Sequence, residues 1–283
     1  MSAGITPKST VNKGGAWARV STPISGTDAE VIGLSIAASL AESFSAHLNV
    51  LFTPPDPAEL APWLGEGFMG TVQMAALDGL KNAANEAEAA ARLAYDSIDY
   101  ADKVFSHLKS PVWQDLATEV RLSDLVVFGA ESARGHGLLA EAFQQVLMEE
   151  RAGVFIARQP FDVSGVALVA WDGKEPSSRA ARRAVPLLKK ASKVVIAGSP
   201  VGDSPADLGR LARYYAHHGL TTEIELLPKS SDLVGSLVEA NRRHNAQYMV
   251  AGAFGRSRLR EFAFGGTTRA LLHNTVLNLY MAH

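Results

Sequence analysis

The stretch Ala246-Gln247-Tyr248-Met249-Val250-Ala251-Gly252-Ala253 decides the fold, because a version of it stands about half the chain earlier, as Ser123-Asp124-Leu125-Val126-Val127-Phe128-Gly129-Ala130. Each copy is a short apolar run that ends in a Gly-Ala step. Such a run, with no polar alternation, fits a strand covered on both faces, as in a parallel sheet. Phe155-Ile156-Ala157-Arg158 and Tyr280-Met281-Ala282-His283 match in the same way, each roughly 30 residues beyond its Gly-Ala step. Two matched strands at a common offset point to an internal duplication. The competing reading is one large α/β domain whose strands merely resemble each other.

Outward from Ala246–Ala253, the second half alternates strands and helices. Val166–Trp171 is an apolar run ending at Asp172-Gly173. Ser177 or Ser178 then caps a helix over Ser178–Ala191, in which Ala181, Ala184, Val185 and Leu188 recur at helical spacing. Strand Lys193–Ser199, helix Ala206–His218, strand Thr222–Leu227, helix Asp232–His244 and strand Tyr248–Gly252 follow. A glycine loop, a helix around Thr267–Asn274 and strand Leu277–Ala282 close the half. This alternation predicts a parallel sheet with helices on both faces and right-handed crossovers. The first half reads the same way. Strand Ala18–Ile24, helix Asp28–Phe44 and strand Leu48–Thr53 lead through a proline-rich stretch to an alanine-rich helix over Val72–Ser97. Strand Lys103–Leu108, helix Val112–Leu122, strand Leu125–Gly129 and strand Val154–Ala157 complete it. Proline at 160 would end that last strand, so the expected units are residues 1–160 and 161–283.

Composition narrows the classes. At 283 residues, 47% hydrophobic and 20% charged, the chain can bury two ordinary cores and is not of disordered type. A net charge of −2 gives no global attraction for nucleic acid or an anionic membrane, and neither is expected as a partner. The absence of cysteine removes disulfides, thiol catalysis and thiolate metal sites, and fits a reducing, cytoplasmic setting. The first 15 or so residues read as a disordered leader without the apolar core of a secretory signal. No apolar run approaches the roughly 18 residues of a membrane-spanning helix.

The segment with chemical content is Gly252-Ala-Phe-Gly255-Arg-Ser-Arg-Leu-Arg-Glu-Phe-Ala-Phe-Gly265-Gly266-Thr267-Thr268. It follows a buried strand and enters a helix, which places it at the carboxyl edge of the sheet where open α/β folds bind ligands. Glycines at 252 and 255 let the backbone approach a ligand closely and take positive φ. Gly265 and Gly266 open a helix whose free amides and dipole suit an anion. Thr267 and Thr268 add hydroxyls that can donate to phosphate oxygens or reach a metal ion. The bland alternative is a tight turn with Thr267 as a helix cap.

The spacing G-x2-G-x9-G with its threonine tail resembles the signature of ATP-binding universal stress proteins. Gly252, Gly255 and Gly265 match, and Thr268 matches a later hydroxyl of the pattern, while Gly266 stands where the family has a phosphate-binding Ser or Thr. The resemblance implies that Asp172 contacts the adenine end of the nucleotide. It also implies backbone contacts from Ala170, Trp171 and Ser199. A capping or turn role for Asp172 is the alternative. The fold implied is a pair of tandem Rossmann-like domains of the adenine nucleotide alpha hydrolase-like kind. Each would be a five-stranded parallel sheet, joined through its last strand as an internal pseudo-dimer. The function implied is ATP binding, with or without Mg²⁺, in a stress or regulatory protein with slow hydrolysis at most. A homodimer or an unidentified protein partner would be in keeping with it.

The first half departs from this pattern. It reads Gly129-Ala-Glu-Ser-Ala-Arg-Gly135-His-Gly137-Leu-Leu-Ala-Glu141-Ala142-Phe143, two residues shorter, with Glu141-Ala142-Phe143 in place of Gly266-Thr267-Thr268. A carboxylate repels phosphate. Ser25 stands where Asp172 does, so the first half is expected to bind no ATP and to act as a structural partner. Ser132 and His136 lack the elbow and orienting acid of a catalytic pair and read as loop residues. Arg256, Arg258, Arg260 and Arg269 either neutralise phosphates or form a solvated face. His217-His218 offset a helix dipole, and Trp63 and Phe68 lie in a connection that packs its own apolar residues. A nucleotide-free interaction protein is the second functional reading. An enzyme of the related pyrophosphatase or electron-transfer flavoprotein folds is the third, with no catalytic constellation in the sequence to favour it.

Overall fold

A computed structural model describes residues 17–54, 71–199, 207–253, 266–274 and 277–283. The leader, Trp63, Phe68, Gly255, Arg256, Arg258, Arg260 and Gly265 lie outside the described residues. In chain order the elements are β1 (Arg19–Ile24), α1 (Val31–Phe44, after a 3₁₀ turn Asp28–Glu30), β2 (His47–Phe52), α2 (Thr71–Asp96), β3 (Lys103–His107) and α3 (Val112–Val120). Next come β4 (Leu125–Gly129), α4 (Ala130–Ala133), α5 (Ala140–Met148), β5 (Val154–Ala157), β6 (Val166–Ala170), α6 (Glu175–Arg183) and α7 (Val185–Leu188). The chain continues with β7 (Lys193–Gly198), α8 (Leu208–His217), β8 (Thr222–Leu226), α9 (Leu233–His244), β9 (Tyr248–Gly252), α10 (Gly266–Asn274) and β10 (Asn278–Ala282).

All ten strands belong to one sheet in the order β3-β2-β1-β4-β5-β10-β9-β6-β7-β8. Five parallel strands from the first half adjoin five parallel strands from the second. The two sets meet where β5 and β10 run antiparallel, pairing Ile156 with Leu279, Phe155 with Tyr280 and Val154 with Met281. Each set reverses its strand order once, between β1 and β4 and between β6 and β9, so each has a topological switch point.

Both faces of the sheet are covered, which explains why β4 and β5 are buried along their whole length and carry no polar alternation. On one face Leu34 and Leu40 of α1, Ala180 and Ala181 of α6, and Leu211 and Tyr215 of α8 pack into a single core. On the other, Leu116 of α3, Phe143 and Val146 of α5, Leu237 and Ala240 of α9, and Leu271 and Leu272 of α10 do the same. Each core crosses the seam between halves, the first through Phe155 and Tyr280, the second through Val154, Ile156, Leu279 and Met281. Aromatic contacts reinforce the first core: Phe155 stacks on Phe161 at 5.1 Å, Phe161 meets Tyr248 edge-on at 5.8 Å, and Trp17 stacks on Tyr280 at 6.2 Å. Burial raises the Tyr248 and Tyr280 phenols well above their ordinary range.

Local chemistry sets the helix ends. The Asp232 side chain accepts from the Gly235 amide at 2.8 Å, and Asn245 closes α9 in the left-handed region. The helix expected over Ser178–Ala191 starts at Glu175 and is divided at Ala184 into α6 and α7. Pro186 explains the division, because it lacks an amide and its ring collides with the carbonyl four residues back. Ser177 and Ser178 are not caps: both lie inside α6, the Ser178 hydroxyl donates to the Lys174 carbonyl, and the Ser177 hydroxyl lies 2.9 Å from that carbonyl and 2.6 Å from the Asp172 carboxylate. In the first half, Ser132 reads as a loop residue but lies in α4, and α5 fills a stretch to which the sequence reading gives no element.

A shared core across the seam has a measurable consequence. Phe155→Ala should cost about 3–5 kcal/mol, the usual range for emptying a buried phenylalanine site. Urea unfolding of this variant should show one transition at a lower midpoint by both tryptophan fluorescence and far-ultraviolet circular dichroism; two separate transitions would contradict a joint core.

Candidate functional site

The switch point of the second half gathers most of the residues singled out in the sequence. β6 pairs with β7 on one side, Ala170 opposite Ala197, and with β9 on the other, Val169 opposite Val250. The carboxyl ends of three adjacent strands therefore lie in a row, with Ser199 after β7, Trp171-Asp172 after β6 and Gly252 at the end of β9. Because β10 runs parallel to β9, the intervening α10 must travel back across the sheet. Its first turn, Gly266-Thr267-Thr268, thus belongs to the carboxyl edge and its last turn to the opposite edge.

Asp172 is held by its own loop. Its Oδ1 accepts the Lys174 amide at 3.0 Å and the Ser177 hydroxyl at 2.6 Å, while Oδ2 has, among the described residues, only the Lys174 ammonium, at 3.6 Å. Gly173 turns this loop with φ +73°, a conformation that side chains disfavour. Ser177 is buried and fixes the carboxylate, so Oδ2 is the acceptor left available on a side chain 43% exposed. Trp171 donates its amide to the Ala197 carbonyl at 2.8 Å, and its indole Nε1 is buried with no partner among the described residues. Ser199 Oγ donates to the Pro228 carbonyl at 3.3 Å.

Gly252 has a different reason from the one its sequence context suggests. Its φ is not positive, and a Cβ there would fall 2.8 Å from the Ser177 Cα and 2.5 Å from the Pro176 carbonyl carbon. The missing side chain makes room for the first turn of α6, not for a ligand. A Cβ on Gly266, by contrast, meets nothing within 4 Å among the described residues. Gly266, Thr267 and Arg269 are exposed, whereas Thr268 is buried. The first turn of α10 thus offers amides and the Thr267 hydroxyl on an open face, the arrangement that receives an anion.

The corresponding edge of the first half is built from the same parts in exchanged positions. Ser25 occupies the place of Asp172, and Glu30, five residues on, the place of Ser177. Again a hydroxyl donates to a carboxylate, here Ser25 Oγ to Glu30. The carboxylate now sits on the helix side and takes the turn amides: Glu30 Oε2 accepts from Ser25 at 2.6 Å, Gly26 at 3.1 Å and Thr27 at 3.3 Å. It fills with an internal anion the amide cluster that an external one would use, in the manner of a capping box. Gly26, at φ +86°, lies under α2, where a Cβ would come 2.8 Å from the Ala87 carbonyl carbon. A cavity of about 40 Å³ remains, lined by Ser25, Glu30, Glu131, Ser132 and His136 among others, against the roughly 300–1,000 Å³ of ordinary ligand pockets. Glu131 faces His136 at 3.3 Å and Arg134 at 2.7 Å, and these two hydrogen bonds hold its carboxyl below the usual range.

Sequence reasoning missed Ser177 as the residue that fixes Asp172, and Glu30 as the plug of the first half. The repeated five-residue spacing of acid and hydroxyl, in opposite order, was the available signal. His218, placed at the end of α8, also packs edge-on against the Tyr214 ring at 4.7 Å.

Two substitutions separate the packing glycine from the open one. Gly252→Ala should destabilise the protein by about 1–3 kcal/mol, since backbone of α6 must move. Gly266→Ala should stay within about 0.5 kcal/mol of the parent, as surface changes do. Thermal or urea denaturation measures both, and equal effects would contradict the packing described.

No protein-family model matches the sequence, and no curated protein matches it. Among solved structures, the chain is similar to a universal stress protein from Archaeoglobus fulgidus DSM 4304, with TM-score 0.62 and 16% identity over 93% of this chain and 97% of that one. It is also similar to a putative universal stress protein from Pseudomonas aeruginosa UCBPP-PA14, with TM-score 0.55 and 15% identity over 94% of this chain and 93% of that one. At these identities the likeness is one of architecture: the chain has the fold of universal stress proteins.

Proposed function

We propose that the protein binds ATP at the carboxyl edge of its second half, residues 161–283, and acts as a nucleotide-responsive stress or regulatory protein with slow hydrolysis at most. The first half, residues 1–160, serves as its structural partner. The observation that carries this reading is the asymmetry between two equivalent strand-end loops. One has its amides taken by Glu30 and its edge lined by Glu131. The other keeps Asp172 Oδ2 available on the strand end and an open helix start at Gly266-Thr267.

In this assignment the adenine end lies against Asp172 and the backbone of Ala170, Trp171 and Ser199. The phosphates lie on the amides of 265–268 and the threonine hydroxyls, with Gly255 shaping the approach and Gly252 seating the first turn of α6 beside it. Mg²⁺, when present, would accompany the phosphates. The residues fit a nucleotide in two respects. A carboxylate oxygen accepts from an exocyclic amine or a hydroxyl, and helix amides donate to phosphate oxygens. The Trp171 indole N–H, without a partner among the described residues, adds a buried donor beside Asp172, and a buried donor left unpaired costs about 1–3 kcal/mol.

A second reading, a nucleotide-free interaction protein, finds support elsewhere. β5 and β10 are paired with each other, so the sheet's outer strands among the described residues are β3 and β8. β8 exposes Ile224 and Leu226, at 47% and 57%. Such an edge offers both unpaired backbone and apolar surface for a partner or a second copy. Among the described residues, no helix is long and apolar enough to cross a membrane.

Melting curves with and without Mg·ATP distinguish the two. A ligand at a hundred times its Kd stabilises the folded state by about 2.7 kcal/mol. ATP binding should therefore raise Tm clearly at millimolar concentration, Asp172→Ala should remove most of the rise, and Glu30→Gln should leave it in place. No rise in the parent protein would reject the ATP assignment and favour the interaction reading.

A further inference from the structure

We infer that Arg158, a residue of the first half, is a positioning residue for the phosphate end of the site in the second; this rests on the ATP reading above. Arg158 follows β5 directly and lies half-buried at the seam. Its amide donates to Asn278 Oδ1 at 2.8 Å, and the neighbouring Gln159 amide donates to the same oxygen at 3.2 Å. Asn278 is fully buried and returns the contact, its Nδ2 donating to the Gln159 carbonyl at 3.0 Å and to the Gln247 carbonyl at 3.3 Å. The backbone of Arg158 is thereby fixed to the first residue of β10.

From this anchor the guanidinium reaches α10. Nη2 donates to the Leu272 carbonyl at 2.6 Å and lies 3.4 Å from the Leu271 carbonyl. Both carbonyls lie in the last turns of α10, and a cation at that end offsets the negative pole of the helix dipole. Burial lowers the Arg158 pKa to about 10, with the nearby Arg134 adding to the effect, so the guanidinium remains charged near neutrality.

The consequence for the site is geometric. α10 has nine residues and a length of about 13.5 Å, short enough to move as one rod. A hold on its last turn therefore sets where its first turn, with Gly266 and Thr267, stands relative to Asp172. Holding a binding group to within a fraction of an ångström is what separates a preorganised site from a loose one. The half whose own loop is plugged by Glu30 in this way supplies a part of the other half's site. His283, the counterpart of Arg158 in the duplicated sequence, instead places its ring nitrogen 3.0 Å from the Ala253 carbonyl of its own half.

The test compares ligands with and without phosphates on the full-length chain. In Arg158→Gln, the Kd for Mg·ATP should rise about tenfold while the Kd for adenosine, followed by ligand-observed NMR, changes less than twofold. Arg158→Lys, which keeps a charged donor, should recover part of the ATP affinity. Circular dichroism and melting confirm that each variant is folded; a variant that fails to fold leaves Arg158→Lys to carry the comparison. Equal losses for ATP and adenosine, or none for either, would overturn the positioning role while leaving ATP binding standing. A parent protein that binds neither ligand would instead overturn the site itself, and the inference with it.

Discussion

The antiparallel pairing of β5 with β10 is the contact on which the architecture depends. A five-stranded parallel sheet with its last strand at an edge would expose a row of unpaired amides and carbonyls. Here each half supplies the other's missing neighbour, and both helix layers continue across the join through Phe155, Tyr280, Ile156 and Leu279. Tyr248 and Tyr280 lie buried at this seam, and the glycine at 153 gives Tyr280 the space its ring needs: a Cβ there would fall 2.7 Å from the phenolic oxygen. Because the strands that would mediate association are consumed internally, any further association would use other surfaces.

Within this near-symmetric frame, the two switch points have diverged by exchanging one acid and one alcohol. Ser25 with Glu30, and Asp172 with Ser177, form the same hydroxyl–carboxylate hydrogen bond five residues apart. Where the negative charge sits on the helix side, it folds back onto three turn amides and satisfies them. Where it sits on the strand end, one oxygen is tied down and the other faces, among the described residues, a single exposed lysine. Small changes of this kind alter a site without disturbing the fold, because the covalent spacing and the buried hydrogen bond are both preserved. Fold and function separate in the way expected of widely shared α/β architectures.

Much of the fold was legible in the sequence because buried parallel strands leave uninterrupted apolar runs. Tyr248–Gly252 and Leu125–Gly129 were read to the residue, and most other strands to within one or two positions. Helix ends were less legible. Pro186 divides a helix whose apolar spacing reads straight through it, and α5 has no counterpart in the sequence reading. Of the site, Asp172 and Ser199 stand at strand ends as their sequence context implied. Gly252 was placed correctly, yet its glycine identity answers to α6, a contact between segments 75 residues apart that no local pattern encodes. The same holds for Arg158, whose partners on α10 and β10 become neighbours only after folding.

Only one of the two switch points is expected to receive an anionic ligand. Hydrogen exchange of the full-length chain, followed by mass spectrometry with and without Mg·ATP, addresses both at once. Exchange should slow in peptides covering 171–177 and 266–272 and stay unchanged in those covering 25–30 and 130–137. Protection at 25–30, or an unchanged pattern throughout, would contradict it.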